Sequence, residues 1–357
     1  MAPGLLKDLR LELMRRTAHA ILHAPPRVLR AFAGPERRSP EGYLLDLQTQ
    51  ALLRLNERLG VTLEDSNLPR ARARMDHSTK ILAPRIVPAP LQYERRIPVA
   101  GGTIAARIYI PEPLGKGLSP MIAFFHGGGF VLGSLDSHDG ECQALAAKVQ
   151  AIVVSIEYRL APEHHFPSAV DDALAAFRWV AENATALGGD PARIAVAGDS
   201  AGGNLAAVIS RETRGDAHKP VFQLLVYPAT DMTRSHPSHR YFREGLLLTE
   251  ESINFFLAHY LRSDEDQREP RASPLLASDH EGLPPAMILT AGFDSLRDEG
   301  DAYAAALKAA GVAVEHRCYE TLVHGFFSMS GVVDVARDAF EFAVGGLRRG
   351  LAVQSGK

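Results

Sequence analysis

Cysteine is nearly missing from this chain of 357 residues: only Cys142 and Cys318 occur, far apart and outside any paired-thiol or zinc spacing. A disulfide framework and a Cys-rich metal site are thereby excluded. Long apolar runs are missing too. None approaches the ~18 uninterrupted apolar residues that a bilayer-spanning helix needs, and no apolar stretch near Met1 precedes a small-residue cleavage site. The expected location is the cytoplasm. An excess of one charge is also lacking, since 39 Lys and Arg against 42 Asp and Glu leave a net charge of −3. Such a balance offers polyanions no general attraction, so no nucleic-acid partner is expected. With 46% hydrophobic and 23% charged residues the composition is that of an ordinary globular protein. The length suits two units, or one large α/β domain with an added subdomain.

The first 74 residues are helical in pattern, with Leu5, Leu6, Leu9, Leu13, then Leu44, Leu45, Leu52, Leu53 and Leu55 at spacings near three and four. Residues 1–40 hold eight basic side chains against three acidic ones. A basic helix lying on an anionic membrane is one reading of that excess. The favoured reading is a helix packed over a binding cleft with its charges in water. Beyond Pro84, Pro88 and Pro90, short β-rich runs alternate with helical ones, which indicates a mostly parallel sheet covered on both faces. Eight strands are predicted, at 93–99, 103–110, 121–125, 151–156, 193–197, 221–227, 286–290 and 313–319. One segment, 230–273, interrupts the alternation. It is rich in charge and His and carries its own apolar stripe of Ile253, Phe256, Leu257 and Tyr260 behind Glu250 and Glu251. An insertion there sits above the carboxyl ends of the strands, where open α/β sheets bind ligands.

Gly198-Asp199-Ser200-Ala201-Gly202 fits G-x-S-x-G and lies between a predicted strand and a helical run, the context of a nucleophile elbow. Glycines on both sides give a helix room to approach the strand at a tight turn. His126-Gly127-Gly128-Gly129-Phe130 follows the third strand and presents backbone N–H groups that no Cβ crowds, which suits a developing oxyanion. A phosphate-cradling loop is the rival reading, but neither G-K-[ST] nor G-x-G-x-x-G follows. A serine hydroxyl needs a base, and the base an orienting acid. Asp294 falls directly after the seventh strand, whereas Asp298 and Glu299 suit the first turn of the following helix. Of 14 histidines, His324 alone combines chain order, a position just past the last strand and a flanking Gly. His236 and His239, around Pro237 in the insertion, are expected to face solvent. No H-E-x-x-H or other metal set is found.

Taken together, HGGGF, the stretch Tyr158 to Ala169, GDSAGG, DSLRDEG and HGF stand in the order seen in the hormone-sensitive-lipase-like esterases, and the chain resembles that family from about Pro90 to Leu347. The resemblance implies an α/β-hydrolase fold: an eight-stranded, mostly parallel sheet with helices on both faces and a helical cap. Residues 1–85 and 230–273 would form the cap, and 86–229 with 274–357 the core. It implies Ser200 as nucleophile, His324 as general acid and base, Asp294 as orienter, and an oxyanion hole from the 127–129 glycines, chiefly Gly128 and Gly129, with Ala201. Two departures stand out: Asp294-Ser295-Leu296 replaces the family's Asp-Pro-Leu, and the N-terminal region is some tens of residues longer than the family minimum.

The expected activity is hydrolysis of carboxylic esters with short to medium acyl chains, in a pocket walled by Phe130, Phe255 and Phe256. A small ester and water are the partners, and no metal or organic cofactor is required. The protein would act as a monomer or homodimer. An amide-directed hydrolase would use the same three side chains. A non-catalytic binding protein on this fold would be marked by a missing triad member, and Ser200, Asp294 and His324 are all present.

Overall fold

The computed structural model describes residues 3–60, 62–112 and 117–352, with side chains from residue 10 onward. The side chains of Leu5, Leu6 and Leu9 and the terminal residues 353–357 lie outside the described part. Among the described residues four helices come first: α1 (Pro3–Leu22), α2 (Pro26–Ala33), α3 (Leu47–Arg58) and α4 (Leu68–Leu82). Asp46 caps α3 by accepting the Thr49 N–H, and Asn67 caps α4 through the Arg70 N–H, which satisfies backbone donors that helix ends otherwise leave orphaned. Among the described residues no helix is long and apolar enough to cross a membrane.

Eight strands follow among the described residues: β1 (Leu91–Val99), β2 (Gly102–Ile110), β3 (Ser119–Phe125), β4 (Ile152–Glu157), β5 (Gly189–Asp199), β6 (Phe222–Val226), β7 (Ala286–Phe293) and β8 (Val314–Val323). They form one sheet in the order β1-β2-β4-β3-β5-β6-β7-β8, antiparallel where β2 meets β1 and β4 and parallel elsewhere. Side chains alternate across the sheet: Met121, Ala123 and Phe125 of β3 enter one core, Ile122 and Phe124 the other. The first core is closed by α6 (Ser168–Asn183), α7 (Ala201–Glu212) and α10 (Arg297–Ala309), the second by α5 (Asp139–Val149) and α11 (Asp334–Ala352). This is why the central strands read as continuous apolar runs. β8 reaches four residues further than its apolar pattern suggests. As the edge strand it carries Glu315, Arg317 and Glu320, charged side chains that blunt pairing with other chains.

Because β3, β5, β7 and β8 run parallel, the segments that leave their carboxyl ends emerge on one rim of the sheet. The connection from β6 to β7 arches over that rim with α8 (Ser238–Tyr241) and α9 (Glu250–Tyr260), the latter opened by a Thr249–Ser252 capping box. At the turn from β5 into α7 the backbones nearly touch. A Cβ placed on Gly202 would lie 1.8 Å from the Phe125 carbonyl oxygen, and one on Gly198 would lie 2.4 Å from Gly202 itself. Gly202→Ala is therefore expected to cost more than ~4 kcal/mol, a large fraction of a domain's stability. Gly215→Ala, where nothing lies within 4 Å, is the matched control. Chemical denaturation of the two variants measures this, and equal midpoints would contradict the packing account.

Candidate active site

Ser200 occupies the corner between β5 and α7 with φ 54° and ψ −118°, a strained backbone for a residue that bears a Cβ. The Ser200 N–H donates to the Val226 carbonyl at 2.9 Å, and the Ser200 carbonyl accepts the N–H groups of Asn204 and Ala229. These bonds hold the corner while the side chain stands clear of the sheet. His324 leaves β8 one residue past its end, ahead of the left-handed Gly325. Its Nε2 is 2.9 Å from Ser200 Oγ, and its Nδ1 is 2.8 Å from Asp294 Oδ2. Asp294, one residue past β7, is 1% exposed, and its Oδ1 accepts the Leu296 N–H at 2.9 Å. With both its oxygens engaged as acceptors, the Asp294 carboxylate suits an Nδ1–H donor on His324, the tautomer whose Nε2 can accept from the serine hydroxyl.

The glycine loop after β3 turns sharply, with φ of 118° at Gly128, 61° at Gly129 and 62° at Phe130. The first demands glycine. Gly129, at an angle that Phe130 also adopts, is a glycine for another reason, because a Cβ there would lie 2.3 Å from the Phe256 ring. The loop is braced from behind: the Tyr158 hydroxyl donates to the His126 carbonyl at 2.7 Å, and the Ala161 N–H to the Phe130 carbonyl at 2.9 Å. The N–H groups of Gly128, Gly129 and Ala201 bond no backbone acceptor among the described residues, and these three residues line the same cavity as Ser200, where α7 begins. Gly127 differs and corrects the expectation that it joins them. Its N–H is taken by Asp199 Oδ1 at 2.8 Å, so it has no donor to offer a substrate.

A cavity of about 210 Å³ opens over these groups. Phe130 and Phe256 form part of its wall with Leu63 and Met75 from the N-terminal segment and Leu248 and Ile253 from the β6–β7 connection. Phe130 stacks on Tyr260 with 3.9 Å between centroids. Phe255 does not face the cavity. It sits one position off the inward stripe of α9 and packs its ring on His259, 4.3 Å between centroids. His239 also departs from expectation: it is nearly buried, lines the cavity and places Nε2 2.8 Å from Glu299 Oε2. Glu299 stands in the first turn of α10, as expected, but is buried. Its Oε1 accepts the N–H groups of Thr230 and Asp231, anchoring the chain as it leaves β6, and burial raises its pKa despite His239 and those donors. A solvated helical pattern hides both residues from the sequence, because their contacts lie some sixty positions apart. Among the described residues no cluster of three or more His, Cys, Asp or Glu could hold a metal ion.

The α/β hydrolase fold family matches residues 122–328. The chain is 50% identical over 240 residues to the carboxylic ester hydrolase LipN of Mycobacterium tuberculosis, a match covering 65% of this chain and 63% of LipN. It is 45% identical over 273 residues to the carboxylesterase NlhH of the same organism, covering 75% of this chain and 85% of NlhH. An ester hydrolase from the metagenome of Lake Arreo superposes with a TM-score of 0.81 at 38% identity, over 87% of this chain and 100% of that one. The chain belongs to the α/β hydrolase fold family, and within it to the hormone-sensitive-lipase-like carboxylesterases.

Beneath the site, Glu141 of α5 is fully buried, and loss of water pushes its carboxyl up to about 7, against the opposing pull of His138 and Ser328. A carboxyl raised by folding stabilises the protein below its unfolded value near 4.5, and that contribution is lost as pH rises through 7. Glu141→Gln is therefore expected to raise Tm relative to wild type at pH 8 more than at pH 5. A Tm difference that is constant across this range would show that Glu141 does not titrate there.

Proposed function

We propose that Ser200 attacks an ester carbonyl while His324 accepts its proton, forming an acyl-enzyme and, with the proton returned to the leaving alkoxide, the free alcohol. Water then attacks the acyl carbon, again giving its proton to His324, and the acid is released as Ser200 regains its hydrogen. Asp294 stays ionised and holds the imidazole in its working tautomer. The N–H groups of Gly128, Gly129 and Ala201 receive the oxyanion, which supplies the largest share of the rate, about 10²- to 10³-fold per donor. The observation that carries this reading is the hydrogen-bonded chain Asp294–His324–Ser200, at 2.8 and 2.9 Å, beside those donors.

The acyl group would occupy the apolar cavity between the sheet rim and the two covering segments, against Phe130 and Phe256. Its volume of about 210 Å³ suits short to medium chains. A small ester and water are the partners that this requires. A cytoplasmic location belongs to the proposal, supported by the unpaired thiols of Cys142 and Cys318.

A p-nitrophenyl ester series from acetate to laurate tests the reading. Turnover is expected to peak at short to medium chains and fall by laurate, with matched anilides far slower. Ser200→Ala is expected to lower kcat about 10⁶-fold and Asp294→Asn about 10⁴-fold. Anilide preference would point to an amide-directed hydrolase, and a flat profile untouched by Ser200→Ala would refute the mechanism.

A further inference from the structure

The triad leaves a second set of buried ionisable groups around Ser200 without a role. Asp199 immediately precedes the nucleophile and is 5% exposed; His138, just before α5, is 1% exposed. His138 Nε2 lies 3.1 Å from Asp199 Oδ1, the same oxygen that accepts the Gly127 N–H at 2.8 Å. The Tyr227 hydroxyl reaches Asp199 Oδ2 at 3.4 Å, and His138 Nδ1 meets Ser137 Oγ at 2.8 Å. The approach is so close that a Cβ on Gly127 would lie 2.5 Å from Asp199 Oδ2. Gly127 is thus a glycine for the sake of Asp199, with its own N–H given up so that the next two are turned outward.

A buried carboxylate one residue from the nucleophile is a liability on two counts. It loses its hydration, and it places negative charge beside the position where an oxyanion must form. His138 offsets both. Burial opposes charging of either group, yet their mutual attraction lowers the pKa of Asp199 and raises that of His138, which favours the carboxylate–imidazolium form of the pair. Glu141 and Asp76 are the other acids that bear on His138. The neighbouring His126 is kept neutral by burial, its pKa pulled down to about 3.

We propose that His138 and Asp199 are a positioning pair for the oxyanion loop. The carboxylate ties Gly127 to the nucleophile elbow so that the N–H groups of Gly128 and Gly129 meet the substrate carbonyl, and the imidazolium cancels the charge that would oppose the transition state. This rests on the oxyanion-hole role proposed for Gly128 and Gly129.

The test compares wild type, His138→Gln, and His138→Gln combined with Asp199→Asn, each normalised by fluorophosphonate titration of active sites. His138→Gln is expected to lower kcat about 10- to 100-fold, short of outright loss of an oxyanion donor. KM should stay within about twofold. Affinity for a trifluoromethyl ketone transition-state analogue should fall by the same factor as kcat/KM, while inhibition by the carboxylic acid product is unchanged. A merely structural role would lower Tm and titratable sites without separating analogue from product. The double variant keeps an acceptor for Gly127 with neither charge and is expected to recover most of the lost kcat. Unchanged kcat and analogue affinity in His138→Gln, or a double variant no better than the single, overturns the proposal. Wild-type protein that fails to titrate at all would instead take down the serine-hydrolase reading on which it rests, a result distinct from a titratable enzyme indifferent to residue 138.

Discussion

The contact between Gly202 and the carbonyl of Phe125 is the constraint on which the rest depends. It lets α7 start against the end of β3, which forces Ser200 into its strained corner and brings the glycine loop after β3 alongside the N-terminus of α7. Ser200 and the N–H groups of the glycine loop thereby come from adjacent strands and share one reference frame. Asp294 and His324 reach the same point from β7 and β8, because parallel strands deliver their carboxyl ends to one rim. Strain at one residue and a few small side chains replace what would otherwise require flexible loops to meet by chance.

The cover over that rim is joined less firmly. Glu64, between α3 and α4, bonds Ser252 and Thr249 at the start of α9, and Arg297 pairs with Glu41 at 3.0 Å. Such partly exposed links are individually weak. Phe256 is the tighter coupling, since its ring rests on Gly129 and so connects the β6–β7 connection directly to the glycine loop after β3. Packing that fills the cavity therefore also bears on the loop's geometry.

Much of this arrangement is legible from the residues in order. Continuous apolar runs mark the buried parallel strands, and glycine spacing marks both turns, because each is a local consequence of burial or of backbone conformation. Asp294 and His324 can be singled out since they sit just past strands, where topology already says the site must lie. What escapes is non-local. That Gly127 spends its N–H on Asp199 and that His239 and Glu299 are buried together depend on contacts across tens of positions. A charged residue in a solvated-looking helix carries no local mark of burial, and neither does a strand such as β8 whose edge position demands charge.

A carbamate ester, whose carbamoyl-enzyme hydrolyses slowly, offers the most direct measurement of the central claim, that Ser200 forms a covalent acyl intermediate. Mass spectrometric mapping after its reaction with p-nitrophenyl carbamate should find one carbamoyl group per chain, on the peptide bearing Ser200, with one equivalent of nitrophenol released. Nitrophenol released with no adduct, or an adduct on another side chain, would contradict it.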